Sequence, residues 1–179
     1  MRAFYTLYFM IMLVGSVMAQ TTASASISFN LPSVGLLDLE PNNSAITLAM
    51  QSPTEAGRAL TVPSSNNTKW LNVTSSVAVG VTRKITAQIS SGTLPAGLNL
   101  LLTVSAYSGS GSGTFGTAGS NLSLTTSAQN VVTGIGGAYT GNGANNGYNL
   151  TYSLQISNYG QLKHDASTSL TITYTLTDN

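Results

Sequence analysis

The feature that most constrains the fold is an alternation of apolar and polar residues that recurs along the chain. A period of two places successive side chains on opposite faces of a strand, so that one face can be buried while the other meets water. Long segments with the helical period of 3.6 residues are missing. Strands are therefore predicted at residues 23–31, 34–39, 45–50, 70–74, 77–89, 98–106, 122–125, 130–133, 148–156 and 170–176.

About ten strands separated by turn signals, such as those at residues 41–43, 63–64 and 95–97, favour an all-β fold. The predicted architecture is an antiparallel two-sheet sandwich with immunoglobulin-like or Greek-key connections. A closed barrel is the alternative. Within residues 77–89, Arg83 interrupts the apolar face, which predicts a β-bulge at Arg83 and Lys84.

The first 19 residues have the features of a cleaved signal peptide. Arg2 precedes an apolar run over residues 3–14, and small or modest side chains lead to a predicted cleavage between Ala19 and Gln20. A helix that spans a bilayer needs about 20 apolar residues, and this run is shorter. We therefore expect no membrane span after cleavage. Residues 20–179 are predicted to form one domain that is exported to the periplasm, the cell surface or the extracellular space.

The predicted mature chain is almost free of charge. The whole sequence has six Lys and Arg and five Asp and Glu, and because Arg2 lies in the leader the remainder has formal charge zero. A neutral surface gives no electrostatic basis for binding nucleic acid or anionic membranes. Low charge also weakens the usual protection of strand edges against pairing. Cysteine is absent, which excludes thiol chemistry and cysteine-ligated metals.

Few residues could carry catalysis. His164 is the one histidine and no G-x-S-x-G motif is present, so it is expected in the turn between the last two strands. Asp38 and Glu40 share a face if their segment is a strand, and could serve glycoside hydrolysis or bind Ca²⁺. We expect them to be solvated charges at a sheet edge. No enzyme, cofactor or metal is predicted, and a hydrolase using Asp38 or His164 is the remaining alternative.

Two Gly-rich segments, residues 107–120 and 134–147, lie between predicted strands and are either binding loops or flexible connections. Aromatic side chains there and just beyond could stack on sugar rings. The candidate ligand residues are Phe115, Tyr139 and Tyr148, whereas the single tryptophan, Trp70, is expected in the core. This indicates a secreted carbohydrate-binding module as an alternative function.

The alternating segment at residues 23–31 follows the predicted cleavage site directly. Its apolar residues include Ala25, Ile27 and Phe29, which are candidates for strand pairing. The default expectation is an edge strand in the chain's own sheet. The alternative is insertion into a neighbouring subunit, as donor strands do.

This segment, the neutral body rich in Ser, Thr, Gly and Asn, and the closing SLTITYTLTDN resemble exported bacterial fimbrial-type subunits. The resemblance is to spore-coat-U-like and cysteine-free pilin modules, although the disulfide of many pilins is absent. It implies an immunoglobulin-like sandwich that assembles or adheres at the surface of a Gram-negative bacterium. The predicted function is a non-catalytic structural or adhesive protein, whose partners are its own copies, other surface proteins or glycans.

Overall fold

The structure, a computed structural model, describes residues 21–164 and 168–179, so the predicted signal peptide lies outside the described residues. The chain divides between Leu31 and Pro32, and the two parts are described separately. Every strand of the described residues lies in the second part. They are β1 (Val34–Glu40), β2 (Asn66–Ser76), β3 (Arg83–Ser91), β4 (Leu98–Val104), β5 (Ser112–Gly113), β6 (Thr117–Ala118), β7 (Leu122–Ser123), β8 (Gln129–Ile135), β9 (Ala138–Tyr139), β10 (Tyr148–Ile156) and β11 (Thr171–Asp178).

The strands form two antiparallel sheets. The larger sheet has seven strands in the order β5-β9-β2-β10-β4-β7, with β1 paired to the other edge of β2. The smaller sheet has four strands in the order β11-β3-β8-β6. This confirms the predicted two-sheet sandwich. No helix among the described residues is long and apolar enough to cross a membrane.

The strand order follows the immunoglobulin arrangement in its central part. That arrangement has strands A, B, E and D in one sheet and C, F and G in the other. Here β1, β2, β10 and β4 take positions A, B, E and D, while β3 and β11 take C and F. In the described part of the chain, position G beside β11 holds no strand. The sandwich therefore lacks one edge strand.

The core lies between the sheets and is built from the inward rows of the alternating strands. On β10, Tyr148, Leu150 and Tyr152 are almost fully buried, as the sequence pattern predicted. The hydroxyl groups of Tyr152 and Tyr174 are hydrogen-bonded and connect β10 of one sheet to β11 of the other. Burial raises the pKa of Tyr152 to about 12, an effect that the hydrogen bond from Tyr174 partly offsets. Burial also raises the pKa of Tyr174 well above its usual range, and the neighbouring Tyr152 adds to this.

Arg83 connects the two sheets at one end of the sandwich. Its Nε donates to Asp178 Oδ1 at 2.9 Å, and its terminal nitrogens donate to Val34 O and Ser33 Oγ. The guanidinium passes so close to Gly35 that a Cβ there would lie 2.6 Å from Arg83 Nη1. The predicted bulge is confirmed, because the pairing of β3 with β8 shifts register beside Arg83.

Three sequence-based predictions of strands or burial are wrong within residues 32–179. Residues 77–82 form a turn and loop between β2 and β3, and Val79 is fully exposed because no strand covers it. Residues 45–50 form no strand, although Ile46 and Leu48 pack against the core. Trp70 is half-buried outside the core, because its position on β2 is out of phase with the buried Leu71 and Val73.

We predict that stability falls as the pH rises above about 10, the pKa of an unfolded tyrosine. A tyrosine whose pKa is higher in the folded than in the unfolded protein contributes its full stabilisation below about pH 10. This contribution is lost as the pH rises towards the folded pKa, which is about 12 for Tyr152. Each such group contributes a slope of about 1.4 kcal/mol per pH unit. Urea denaturation between pH 8 and 12 should show a shallower fall in Tyr152→Phe, and an unchanged slope would contradict this.

Removing the guanidinium of Arg83 should destabilise the fold by about 2 to 3 kcal/mol, because charge-assisted hydrogen bonds to two strands are lost. Arg83→Met tests this by urea denaturation. Arg58→Met is the matched control, since Arg58 Nε pairs with Glu55 at 3.0 Å on an exposed surface. An exposed pair contributes about 0 to 1 kcal/mol. Equal losses in both variants would refute the connecting role of Arg83.

Candidate functional site

The open side of the sandwich is the side where β1 ends one sheet and β11 ends the other. These two edge strands contact each other, and Arg83 bonds to residues at the start of β1 and the end of β11. Several inward side chains here are only half-buried, in contrast to the fully buried Ile85 and Ala87 on the neighbouring β3. They are Leu37 and Leu39 on β1, and Ile172, Tyr174 and Leu176 on β11.

The outer edge of β11 has no strand beside it. Among the described residues, β11 pairs with β3 alone, in a register from Thr171 opposite Ser91 to Asp178 opposite Arg83. Native proteins usually protect such edges with lysine, proline or an irregular strand. Residues 171–177 contain no charge and no proline, since threonine alternates with apolar residues. The edge is therefore chemically suited to pair with a further strand.

The strand predicted at residues 23–31 is absent. Residues 21–31 have no regular secondary structure and are exposed throughout. Ile27 is 75% and Phe29 84% exposed, and Ala25 is exposed as well. Among the described residues, residues 23–31 therefore belong to no strand of either sheet. An alternating apolar row is left in contact with solvent.

Two of the three candidate ligand aromatics belong to one aromatic cluster, in which Tyr148 is buried and Phe115 is half-buried. Phe115 stacks on Tyr107 with ring centroids 3.4 Å apart, and Tyr148 meets Tyr107 edge-on at 6.4 Å. Tyr148 is 1% exposed and its hydroxyl donates to Phe115 O. Burial, with a smaller effect of Tyr107, raises the pKa of Tyr148 above its usual range. Tyr139 alone is well exposed and stands apart from this cluster.

The two Gly-rich segments are tied to each other by hydrogen bonds. Asn146 Oδ1 accepts from Ser110 N, and Asn146 Nδ2 donates to Asn142 O. The hydroxyl of Tyr107 accepts from Gly111 N and donates to Thr140 O. These contacts, together with the short strands β5, β6 and β9, give both segments a defined conformation.

The two candidate acids and the histidine lie on different elements of the fold. Asp38 and Glu40 lie on the edge strand β1, opposite Asn72 and Trp70 on β2. His164 is exposed in the connection between β10 and β11, as predicted. The described residues contain no group of three His, Cys, Asp or Glu that could hold a metal ion.

Sequence analysis did not identify a role for Lys69. It is 5% exposed near the start of β2, and its ammonium donates to Asn42 O, Asn42 Oδ1 and Ser44 Oγ. These neutral oxygens replace the water that the charge loses on burial. Lys69 thus fixes the turn after β1. Lys69 alternates with Leu71 and Val73 on the same face of β2, and this spacing could have predicted its burial from the sequence.

Comparison of the chain with protein-family models, with curated proteins and with solved structures finds no match.

We predict that Asn146→Ala loosens both Gly-rich segments. It removes the amide that joins them, at a cost of about 1 to 2 kcal/mol. Hydrogen exchange should become faster at Ser110 and around Gly143, with little change in β3. Asn145→Gly is the matched control, because Asn145 has φ 66°, which glycine adopts freely. Unchanged exchange in Asn146→Ala would show that the loops do not depend on this bond.

Proposed function

We propose that the protein is a non-catalytic, exported surface subunit whose copies join by strand pairing. In this assembly, residues 21–31 of one copy pair with the free edge of β11 in another copy. The observation that carries the proposal is the empty G position beside β11, in a chain whose own alternating segment is unpaired and exposed.

The two partners are complementary in length and pattern. The donor segment, residues 21–31, has apolar side chains at alternate positions from Ala23 to Leu31. The acceptor row on β11 has half-buried apolar side chains at alternate positions from Ile172 to Leu176. A strand placed in position G would cover the half-buried row with its own apolar face. Burial of each large side chain contributes about 1.5 to 3 kcal/mol.

The backbone supports the same pairing. An exposed sheet edge offers unpaired N–H and C=O groups, and an added strand satisfies them along its length. No charged residue of β11 lies before Asp178, so an approaching neutral segment meets no repulsion over residues 171–177. The absence of charge in residues 21–31 has the same consequence.

The export leader and the resemblance to fimbrial-type subunits are consistent with this role. A neutral surface rich in hydroxyl and amide groups keeps the assembled faces hydrated while leaving the strand edge available. On this proposal the protein acts through its strand edge and not through a reaction centre.

The period-two pattern of the donor gives a sharp test. Ile27→Asp and Phe29→Asp place charge on the row that would be buried, and we expect them to abolish assembly in size-exclusion chromatography with light scattering. Ser26→Asp and Ser28→Asp place the same charge on the opposite row and are the matched controls. They should assemble at least tenfold better than the first pair. Equal behaviour of the two pairs, or a monomeric wild-type protein, would contradict the proposal.

Complementation gives a second test. A chain that lacks residues 21–31 should stay folded and monomeric, because all its strands are retained. A synthetic peptide of residues 21–31 should bind it and raise its melting temperature by several degrees. The same peptide carrying Ile27→Asp and Phe29→Asp should have no effect. If the truncated chain assembles as well as the full chain, residues 21–31 are not the donor.

A further inference from the structure

The outward face of the seven-stranded sheet carries a cleft that the strand-pairing proposal does not use. The register places Leu36 opposite Thr74, and Thr74 opposite Tyr139, so that these three side chains share one face of β1, β2 and β9. Asp38 and Asn72 are opposite each other on the same face. The Tyr139 cleft, as we name it, has a volume of about 520 Å³. Its side-chain lining includes Leu36, Asp38, Asn72, Thr74, Tyr139 and Asn142.

The cleft has an apolar platform. Tyr139 is 53% and Leu36 63% exposed, although both are large hydrophobic side chains. Tyrosine combines a flat apolar ring with a polar hydroxyl, which suits surfaces that bind amphipathic ligands. The C–H face of a pyranose ring is flat and apolar, and it matches such a platform in size.

Polar groups converge around the platform. The hydroxyl of Thr74 and the side-chain amide of Asn142 can both donate and accept hydrogen bonds. One oxygen of Asp38 accepts from Leu39 N at 2.8 Å, which leaves the other as an acceptor for hydroxyl groups. A few convergent polar groups in a largely apolar cleft are typical of small-ligand sites.

The charge of the cleft selects among ligands. Asp38 is its one charged lining residue, and no Lys or Arg of the described chain lines it. A phosphate, sulfate or carboxylate would meet a negative charge without a cation to offset it. A neutral ligand with many hydroxyl groups meets donors and acceptors instead. The chemistry therefore favours an uncharged sugar over an anionic one.

The floor of the cleft also contains an acceptor without a partner. Asn72 is 6% exposed, and its Nδ2 donates to Gly143 O at 3.1 Å, which holds the loop of residues 141–147 over the sheet. Its Oδ1 is buried without a hydrogen bond among the described residues. A buried unsatisfied acceptor costs about 1 to 3 kcal/mol. A ligand hydroxyl admitted by a small shift of this loop would remove that cost.

We propose that the Tyr139 cleft binds a neutral carbohydrate, with the ring of Tyr139 stacked on a pyranose and Asp38 accepting from its hydroxyl groups. This site uses neither β11 nor residues 21–31. It is therefore independent of strand pairing, and each proposal can fail without the other.

The test is binding of the full predicted mature chain to a glycan array of neutral, sialylated and sulfated oligosaccharides, followed by NMR titration with the best neutral probe. We expect binding of neutral glycans, with amide shifts at residues 36–38, 74 and 139–142. Tyr139→Ala should weaken binding at least tenfold, and Asp38→Asn at least threefold, while Tyr139→Phe retains most of it. Tyr159→Ala is the matched control, because Tyr159 is 50% exposed and lies outside the cleft.

Three outcomes would overturn the proposal. The first is the absence of binding to every neutral glycan at millimolar concentration. The second is stronger binding of sulfated or sialylated glycans, which the charge of the cleft opposes. The third is binding that is equal in Tyr139→Ala and Tyr159→Ala.

Fluorescence of Trp70, the single tryptophan, reports on a different cleft, which Trp70 lines together with Pro41 and Asn149. A change there without an effect of Tyr139→Ala would place the ligand in that second cleft.

Discussion

The structure depends on the burial of alternating apolar rows between two sheets, and this burial is incomplete along one edge. β3 and β10 lie inside their sheets, and inward side chains such as Ile85 and Leu150 are fully buried there. Along β11 the inward row has the opposite sheet above it, and no strand of the described residues lies beside it. Its side chains therefore remain half-exposed. The missing neighbour links the stability of the sandwich to the proposed function, because on that proposal the strand that completes the core would also join two copies.

Polar contacts stabilise the open side of the sandwich, where β1 and β11 are the edge strands. Arg83 fixes the start of β1 to the end of β11, and the hydroxyl pair of Tyr152 and Tyr174 fixes β11 across the core. Lys69 fixes the turn that follows β1. Only ten charged residues lie outside the predicted leader, and two of them, Arg83 and Lys69, are buried and position edge segments. An edge that is held open can accept a strand without first rearranging.

The surface has two separate kinds of feature. The β11 edge offers backbone groups and an apolar row, which suit a peptide strand. The Tyr139 cleft offers one aromatic ring, one carboxylate and several neutral polar groups, which suit a sugar. They lie on different strands, so an assembled subunit could retain an accessible cleft. Such a subunit would combine structural and adhesive roles in one sandwich.

The sequence predicted elements best where the alternation is long and uninterrupted. β10 begins and ends as predicted at Tyr148 and Ile156, because its apolar residues alternate without a break and the row is buried from Tyr148 to Tyr152. The strands predicted from alternation at residues 77–82 and 45–50 are absent, because a turn or the lack of a neighbouring strand prevents pairing there. Of the predicted ligand residues, Phe115 and Tyr148 both contact Tyr107 in the aromatic cluster, and Tyr139 is exposed. An aromatic residue in a Gly-rich segment has no periodicity from which its burial could be inferred.

By itself, the sequence determined the all-β class, the inward rows of the long strands and the near-absence of charge, because these follow from local pattern and composition. Only the tertiary structure decided which strands are neighbours. It placed β11 at the edge of its sheet and brought Leu36, Asp38 and Tyr139 to one face. Pairing depends on contacts between residues far apart in the chain, and a pattern with a period of two is compatible with many of them.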